Sequence, residues 1–264
     1  MLPGVAAGAG DGPVVVFLHA GVADHRMWLS QVAAVAAAGD RALAYDRRGF
    51  GEAVAANVPF SHLDDLGAVL NARGVRRAVL VGCSMGGGLA VDFALAQPAR
   101  VAGLVLVAPA VSGGDYVFSG TDEDVENALA AAEAGGDVAR LNRLSAAAWL
   151  DGPRSPEGRV GGAARELFLD MNGKALAKPA LTQERRAPAA WPRLGEIAVP
   201  ALVLTGALDF NYMLDRHAAL VAALPQAGGE ILAATAHLPS LERPDLFNPP
   251  LLDFLATMKP HQRR

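Results

Sequence analysis

A chain of 264 residues with 52% apolar and 19% charged content is long enough to bury a substantial core in one α/β domain, with or without an insert. Its net charge of −4, with the signs interspersed, offers no basic stripe for nucleic acid, and no window of about 18 residues is apolar enough to read as a membrane span. One cysteine, Cys83, excludes an intrachain disulfide, and the first residues lack the basic start and apolar run of a secretory signal, so a cytoplasmic location is expected.

In chain order, the first strand is read at Val14–Leu18, followed by an Ala-rich amphipathic helix over Trp28–Ala38 and a second strand at Arg41–Tyr45. A helix over Ser61–Arg73 leads to a strand at Ala78–Val81. That strand runs into Gly82-Cys83-Ser84-Met85-Gly86 and a small-residue helix over Gly88–Gln97. The next strand is Gly103–Val107. Near-continuous Val and Leu in these runs, rather than alternation, predicts parallel strands buried on both faces, and the βαβ rhythm predicts a doubly wound sheet. From Val111 to Arg193 no comparable strand occurs. Charged, Ala-rich helices are read instead at Asp122–Ala134, Asp137–Trp149 and Val160–Asn172, with Leu144, Trp149, Leu167, Phe168 and Met171 as apolar packing material. Strand rhythm returns at Ala201–Leu204, with a weaker strand at Gly229–Ala233. At the end, Asn248 reads as an N-cap with Pro249 and Pro250 in the first turn of a helix through Met258, and the tail from Pro260, including His261, as frayed. The expected organisation is a core of residues 1–110 and 194–264, with residues 111–193 inserted as a helical cap over the carboxyl edge of the sheet.

Gly-x-Ser-x-Gly is a weak pattern on its own, but between a strand and a helix it describes a sharp turn that holds the serine off the end of the sheet. A plain reading, a Gly-rich turn whose serine caps the helix, competes with it. If Ser84 is a nucleophile it needs a base within reach and a carboxylate to orient that base, each just past a late strand. Asp209 follows the strand at Ala201–Leu204, and His237 follows the weaker strand. Asp115, in the loop after Val107, is the rival acid; Asp215 and Asp245 read as helix surface. His19 reads as a hydrogen-bonding residue of its own loop, and His25, His62, His217 and His261 as solvated surface. Two donors must face the developing oxyanion. These are assigned to the N–H of Met85 and, in the loop after the first strand, to that of Gly21. Cys83 reads as a buried, inert thiol.

With these residues in order, the chain resembles proteins of the α/β-hydrolase fold. The likeness lies in Phe17–Trp28, Tyr45–Gly51, Val81–Gly87, Gly206–Asp209 and Ala236–Pro239, which span nearly all of the chain outside the insert. The resemblance implies Ser84 as nucleophile, Asp209 as acid, His237 as base, and Gly21 and Met85 as oxyanion donors, with Asp46–Gly51 a structural turn. Ala20 stands where a glycine is usual. Two leading strands are usual, but few residues precede Val14, so the sheet is expected to lack an edge strand. Ser at the elbow, where related dehalogenases carry Asp, implies acyl transfer to water. A small or medium ester or lactone is the expected substrate, with C–C bond hydrolysis of a ring-cleavage dienone as the alternative on the same triad. A ligand-binding protein without catalysis is the rival from another class. Val22, Trp149, Phe168, Met171, Phe210 and Leu238 are the expected apolar pocket residues. No metal, cofactor, nucleic acid or membrane partner is called for, and a homodimer is compatible with the sequence.

Overall fold

The computed structural model describes residues 2–10 and 12–259; the tail from Pro260, with His261, lies outside the described residues. The apolar runs become strands where expected. The strands are β1 (Gly4–Ala7), β2 (Val14–Leu18), β3 (Ala42–Tyr45), β4 (Ala78–Cys83), β5 (Val101–Val107), β6 (Ala201–Gly206) and β7 (Ala227–Leu232). Among the described residues they form one seven-stranded sheet in the order β1-β3-β2-β4-β5-β6-β7. All neighbours are parallel except β1 and β3, which pair antiparallel with Gly4 opposite Tyr45. One leading edge strand is therefore present. Its four residues alternate between exposed and half-buried positions, which is the behaviour of an edge and leaves no apolar run to read.

The sheet is covered on both faces. Val16, Leu18, Leu80, Leu104 and Leu106 face one core cluster, packed against Leu66 and Leu70 of α2 (His62–Ala72) and Phe93 of α3 (Met85–Ala96). Val15, Phe17, Val79, Val81, Val105 and Val107 face the other cluster, with Trp28, Val32 of α1 (Leu29–Ala37) and Phe247. Each such fully buried side chain contributes roughly 1.5–3 kcal/mol.

Between β5 and β6 come α4 (Thr121–Ala134), α5 (Val138–Ser145), a π-helical turn (Ala146–Asp151), α6 (Gly162–Leu176) and a short 3-10 turn at Trp191–Glu196. Ala146, Leu150, Phe168 and Met171 of this stretch share the cluster of Phe17, Met27 and Trp28, so the segment packs against the sheet's own core. After β6 the chain continues through α7 (Asn211–Ala223), β7, α8 (Pro239–Glu242) and α9 (Pro244–Thr257).

The C-terminal helix starts earlier than its sequence indicates. Pro244 occupies its first turn, and Pro249 and Pro250 lie inside it. Asn248 is not its cap: its side chain accepts a hydrogen bond from Gln31 Nε2 at 2.8 Å and donates to Ser30 Oγ at 3.5 Å, tying α9 to α1. A tertiary contact thus uses the polar group that local chemistry would assign to a cap. Among the described residues no helix is long and apolar enough to cross a membrane.

Candidate active site

The strand order reverses at β2. The chain leaves β3 on one side of it and returns to β4 on the other, which opens a crevice at the carboxyl ends of β2 and β4. Ser84 sits there, between the last residue of β4 and the first of α3. Its backbone is in a region side chains rarely adopt, φ 51° and ψ −118°, at a cost of about 1–3 kcal/mol. The turn is held regardless. Ser84 N–H donates to Val107 O at 2.9 Å, and Ser84 O accepts from Gly88 N at 3.0 Å and Ala110 N at 2.9 Å. A Cβ on Gly82 would lie 2.3 Å from Gly86 O, and one on Gly86 would lie 2.1 Å from Leu18 O, so both flanking glycines are sterically obligatory. Ser84 is half-buried and Met85 exposed.

Met85 is the first residue of α3, where an N–H has no acceptor within the helix. Gly21, in the loop leaving β2, comes so close that a Cβ there would meet Met85 Sδ at 2.5 Å. The two residues expected to supply the oxyanion donors are therefore neighbours through the Met85 side chain.

Asp209 follows β6 and is fully buried, as is His237 in the loop before α8. Asp209 Oδ2 lies 2.8 Å from His237 Nδ1, and Oδ1 accepts from Phe210 N at 2.8 Å. The carboxylate holds Nδ1 as the protonated nitrogen and leaves Nε2 as the acceptor. Among the described residues no hydrogen bond joins Ser84 to His237, a geometry common without substrate. Asp115 is brought to neither: its side chain is exposed, and its carbonyl accepts from Arg216 at 2.7 Å. Cys83 is buried with Sγ donating to His237 O at 3.5 Å, and burial, followed by the nearby Asp209 charge, pushes its thiol well up.

The expected pocket residues divide. Trp149, on the π-helical turn, places its ring 4.7 Å from the His237 ring and 4.5 Å from Phe210. Phe168, Met171 and Leu238 are fully buried in the core cluster and Phe210 in a smaller aromatic cluster, while Val22 is partly buried against the core. None of the six lines either of the two cavities beside Met85. These instead have volumes of about 540 Å³, bounded by Gly21, Phe50, His62 and Met85, and about 370 Å³, bounded by Arg47, His62, Met85 and Asp92. Phe168, Met171, Phe210 and Leu238, expected as pocket residues, are core side chains, and Trp149 lies against His237.

Other residues escaped the sequence. Arg154 donates to Asp209 O at 2.6 Å and to the buried Asp122 at 3.0 Å, and Tyr212 N reaches the same Asp122 at 3.3 Å. Arg159 reaches Leu150 O at 2.8 Å and Glu242, whose other oxygen accepts from Ala236 N beside His237. Two arginines of the segment between β5 and β6 thus brace both loops. Nothing in their local sequence marks them. Arg154→Ala leaves the buried Asp122 with the Tyr212 N–H but without its cation and is expected to cost about 1–3 kcal/mol in a urea unfolding titration. An unchanged midpoint would remove the brace from consideration.

The surface reading of three histidines is overturned. His25 is mostly buried with Nδ1 2.6 Å from Asp46, and His217 is half-buried with Nδ1 3.0 Å from Thr205 Oγ1. His62 is buried because the chain at 183–185 pairs across Phe60. His19 does bond its own loop, through Ala20 O at 2.8 Å and Arg47 N at 3.0 Å. Burial, with the Arg47 charge adding to it, pulls His62 down to about 4. An imidazole whose folded value lies below its unfolded value of about 6.5 binds protons preferentially when unfolded. Stability is therefore lost as pH falls from 6.5 to 4, by up to ~3 kcal/mol for this group. His62→Gln should flatten part of that acid-side fall in unfolding measured against pH; an identical slope would contradict the assignment.

Among the described residues, Asp24, His25 and Asp46 offer metal-ligand spacing within 4.8 Å. Their atoms are already engaged: Asp24 pairs with Arg26 at 2.7 Å, and Asp46 accepts from the N–H groups of His25 and Glu52 at 2.9 Å. Asp46 ties the His25 loop to the chain at Glu52.

The model of the alpha/beta hydrolase family matches residues 15–249. The chain is 29% identical to a 2-hydroxy-6-oxo-6-phenylhexa-2,4-dienoate hydrolase of Burkholderia cepacia, covering 94% of this chain and 89% of that one. It is 31% identical to a 2-hydroxy-6-oxononadienedioate/2-hydroxy-6-oxononatrienedioate hydrolase of Paraburkholderia phymatum, covering 94% and 88%. The solved enol-lactonase of Burkholderia xenovorans LB400 superposes with a TM-score of 0.71 at 26% identity, covering 97% and 96%.

Proposed function

The chain belongs to the alpha/beta hydrolase family, and on that premise we propose that Ser84, His237 and Asp209 hydrolyse a carboxylic ester or lactone through an acyl-enzyme. The observation that carries the reading is the buried 2.8 Å bond from Asp209 to His237 Nδ1, on the same sheet edge as the strained turn of Ser84. Ser84 Oγ attacks the carbonyl carbon while its proton passes to His237 Nε2. The oxyanion takes the N–H groups of Met85 and Gly21, each worth roughly a hundredfold in rate. Collapse breaks the acyl–oxygen bond, and the leaving alkoxide receives the proton from His237. Water then attacks the acyl-enzyme and gives its proton to His237, which passes it to Ser84 Oγ as the acyl–serine bond breaks and the acid leaves. The segment 111–193 acts as a cap that brings Trp149 against His237 and anchors both loops through Arg154 and Arg159.

A second reading, C–C bond hydrolysis of a dienoate by the same triad, is favoured by the two hydrolases that match along 94% of the chain. A panel of p-nitrophenyl esters, lactones and a ring-cleavage dienoate, with fluorophosphonate labelling of Ser84, separates them. Ester or lactone turnover with labelling supports the first; turnover of the dienoate alone supports the second. No turnover and no labelling would sink both.

A further inference from the structure

Arg47 is an unusual cation. It is 2% exposed, and its hydrogen-bond acceptors are backbone carbonyls, His19 O at 3.0 Å and Ala20 O at 3.5 Å. Among the described residues no carboxylate pairs with it, and Nε is buried without a partner. Taking a guanidinium out of water without a counter-charge costs several kcal/mol, a demand that an anion in the adjoining space would meet. Burial accordingly pulls Arg47 down to about 10, the nearby Tyr45 and Glu184 opposing this. His62, 8% exposed, has Nδ1 buried and unpartnered. Both residues line the same cavity of about 370 Å³.

That cavity is not isolated. It shares His62, Met85, Glu184 and Arg186 with the larger cavity of about 540 Å³, which Gly21 also bounds. A molecule whose carbonyl meets the N–H groups of Gly21 and Met85 therefore has an uninterrupted wall of residues leading from its reacting carbon toward Arg47.

We propose that this cavity is a substrate subsite in which the Arg47 guanidinium and the N–H of neutral His62 hold a carboxylate on the non-reacting end of the ester or lactone. The subsite rests on the proposed Ser84 chemistry and narrows its substrates to acids bearing a second, free carboxylate. A planar carboxylate matches two donors of this kind, whereas a phosphate needs more donors than the pair supplies. Two acids that also line the cavity oppose any negative charge beyond one. Asp92 has a buried, unpartnered Oδ1, Glu184 faces the same space, and burial, followed by the Glu184 charge, raises Asp92 to about 6. Arg185 and Arg186 line the cavity too but are largely exposed, with Arg186 3.6 Å from Glu184, so the buried demand is that of Arg47 and His62.

The test compares kcat/KM for p-nitrophenyl monoesters of linear dicarboxylic acids with that for uncharged p-nitrophenyl esters of equal length. The native protein should favour the best carboxylate-bearing ester by about tenfold or more, the factor one charge-assisted hydrogen bond supplies. Arg47→Met should bring that ratio toward one, and so should His62→Leu, which keeps the experiment decisive if Arg47→Met does not fold. A native ratio near one, or a ratio that survives in a folded variant, overturns the subsite. If no ester is hydrolysed at all, the Ser84 reading fails separately. Titration calorimetry with the free dicarboxylates then decides the subsite: heat lost in His62→Leu supports it, and no binding to the native protein overturns it.

Discussion

Ser84→Ala is expected to lower kcat on the best ester by about 10⁴–10⁶ and to leave a weak residual rate from the oxyanion donors and substrate binding alone. Adding His237→Ala to that variant should cost little more, because a base without its nucleophile has no proton to take. Losses that multiply instead would mean the two residues act independently and would dissolve the triad. The backbone at this position makes a second, opposite expectation. Ser84 holds φ 51° and ψ −118°, where a Cβ is strained. Ala keeps the Cβ, so Ser84→Ala should unfold near the native temperature. Ser84→Gly, equally inactive, should be more stable than either by about 1 kcal/mol. A protein that gains stability by losing its serine is storing strain for that serine. If glycine gives no gain in thermal unfolding, the turn is relaxed and the strain account is wrong.

What could be read ahead of the structure follows from how local each cause is. β2, β4, β5 and β6 are runs of Val and Leu buried on both faces, so burial is written in each residue and the strands were legible. β1 and β7 are edges with exposed positions, and their signal is correspondingly weak. Gly82, Ser84 and Gly86 were legible because a turn this tight admits few residues, and Asp209 and His237 because each follows a strand at a fixed sheet edge. His62 was not. Its burial comes from Gln183 and Arg185 pairing with Phe60 far along the chain, which no local pattern reports. Arg47 lay in a segment read as a structural turn, and its lack of a counter-charge is visible only when every carboxylate has a position. Arg154 and Arg159 escaped for the same reason: a brace is defined by both its ends.

Asp209 is the member of the proposed triad with a rival in the sequence, and Asp209→Asn against Asp115→Asn separates them. An amide at 209 can still accept from Phe210 N through its oxygen, so the fold should persist. Its NH₂ then faces His237 Nδ1 and favours the tautomer with the proton on Nε2, the nitrogen that must take the proton of Ser84. The expected loss in kcat is about 10⁴, with KM little altered because Asp209 touches the imidazole and not the substrate. Asp115→Asn should stay within about twofold of the native rate, since its exposed side chain makes no bond and Arg216 holds only its carbonyl. The reverse result would move the acid to the loop after β5. It would also require that loop to reorganise on substrate binding, because Asp209 already occupies the inner nitrogen of His237. Raising the pH distinguishes a tautomer defect from a displaced histidine. Hydroxide can take the serine proton in place of Nε2, so a rate for Asp209→Asn that climbs with pH through the alkaline range identifies a correctly placed but wrongly protonated imidazole. A flat, low rate would mean that Asp209 holds His237 in position and does nothing more.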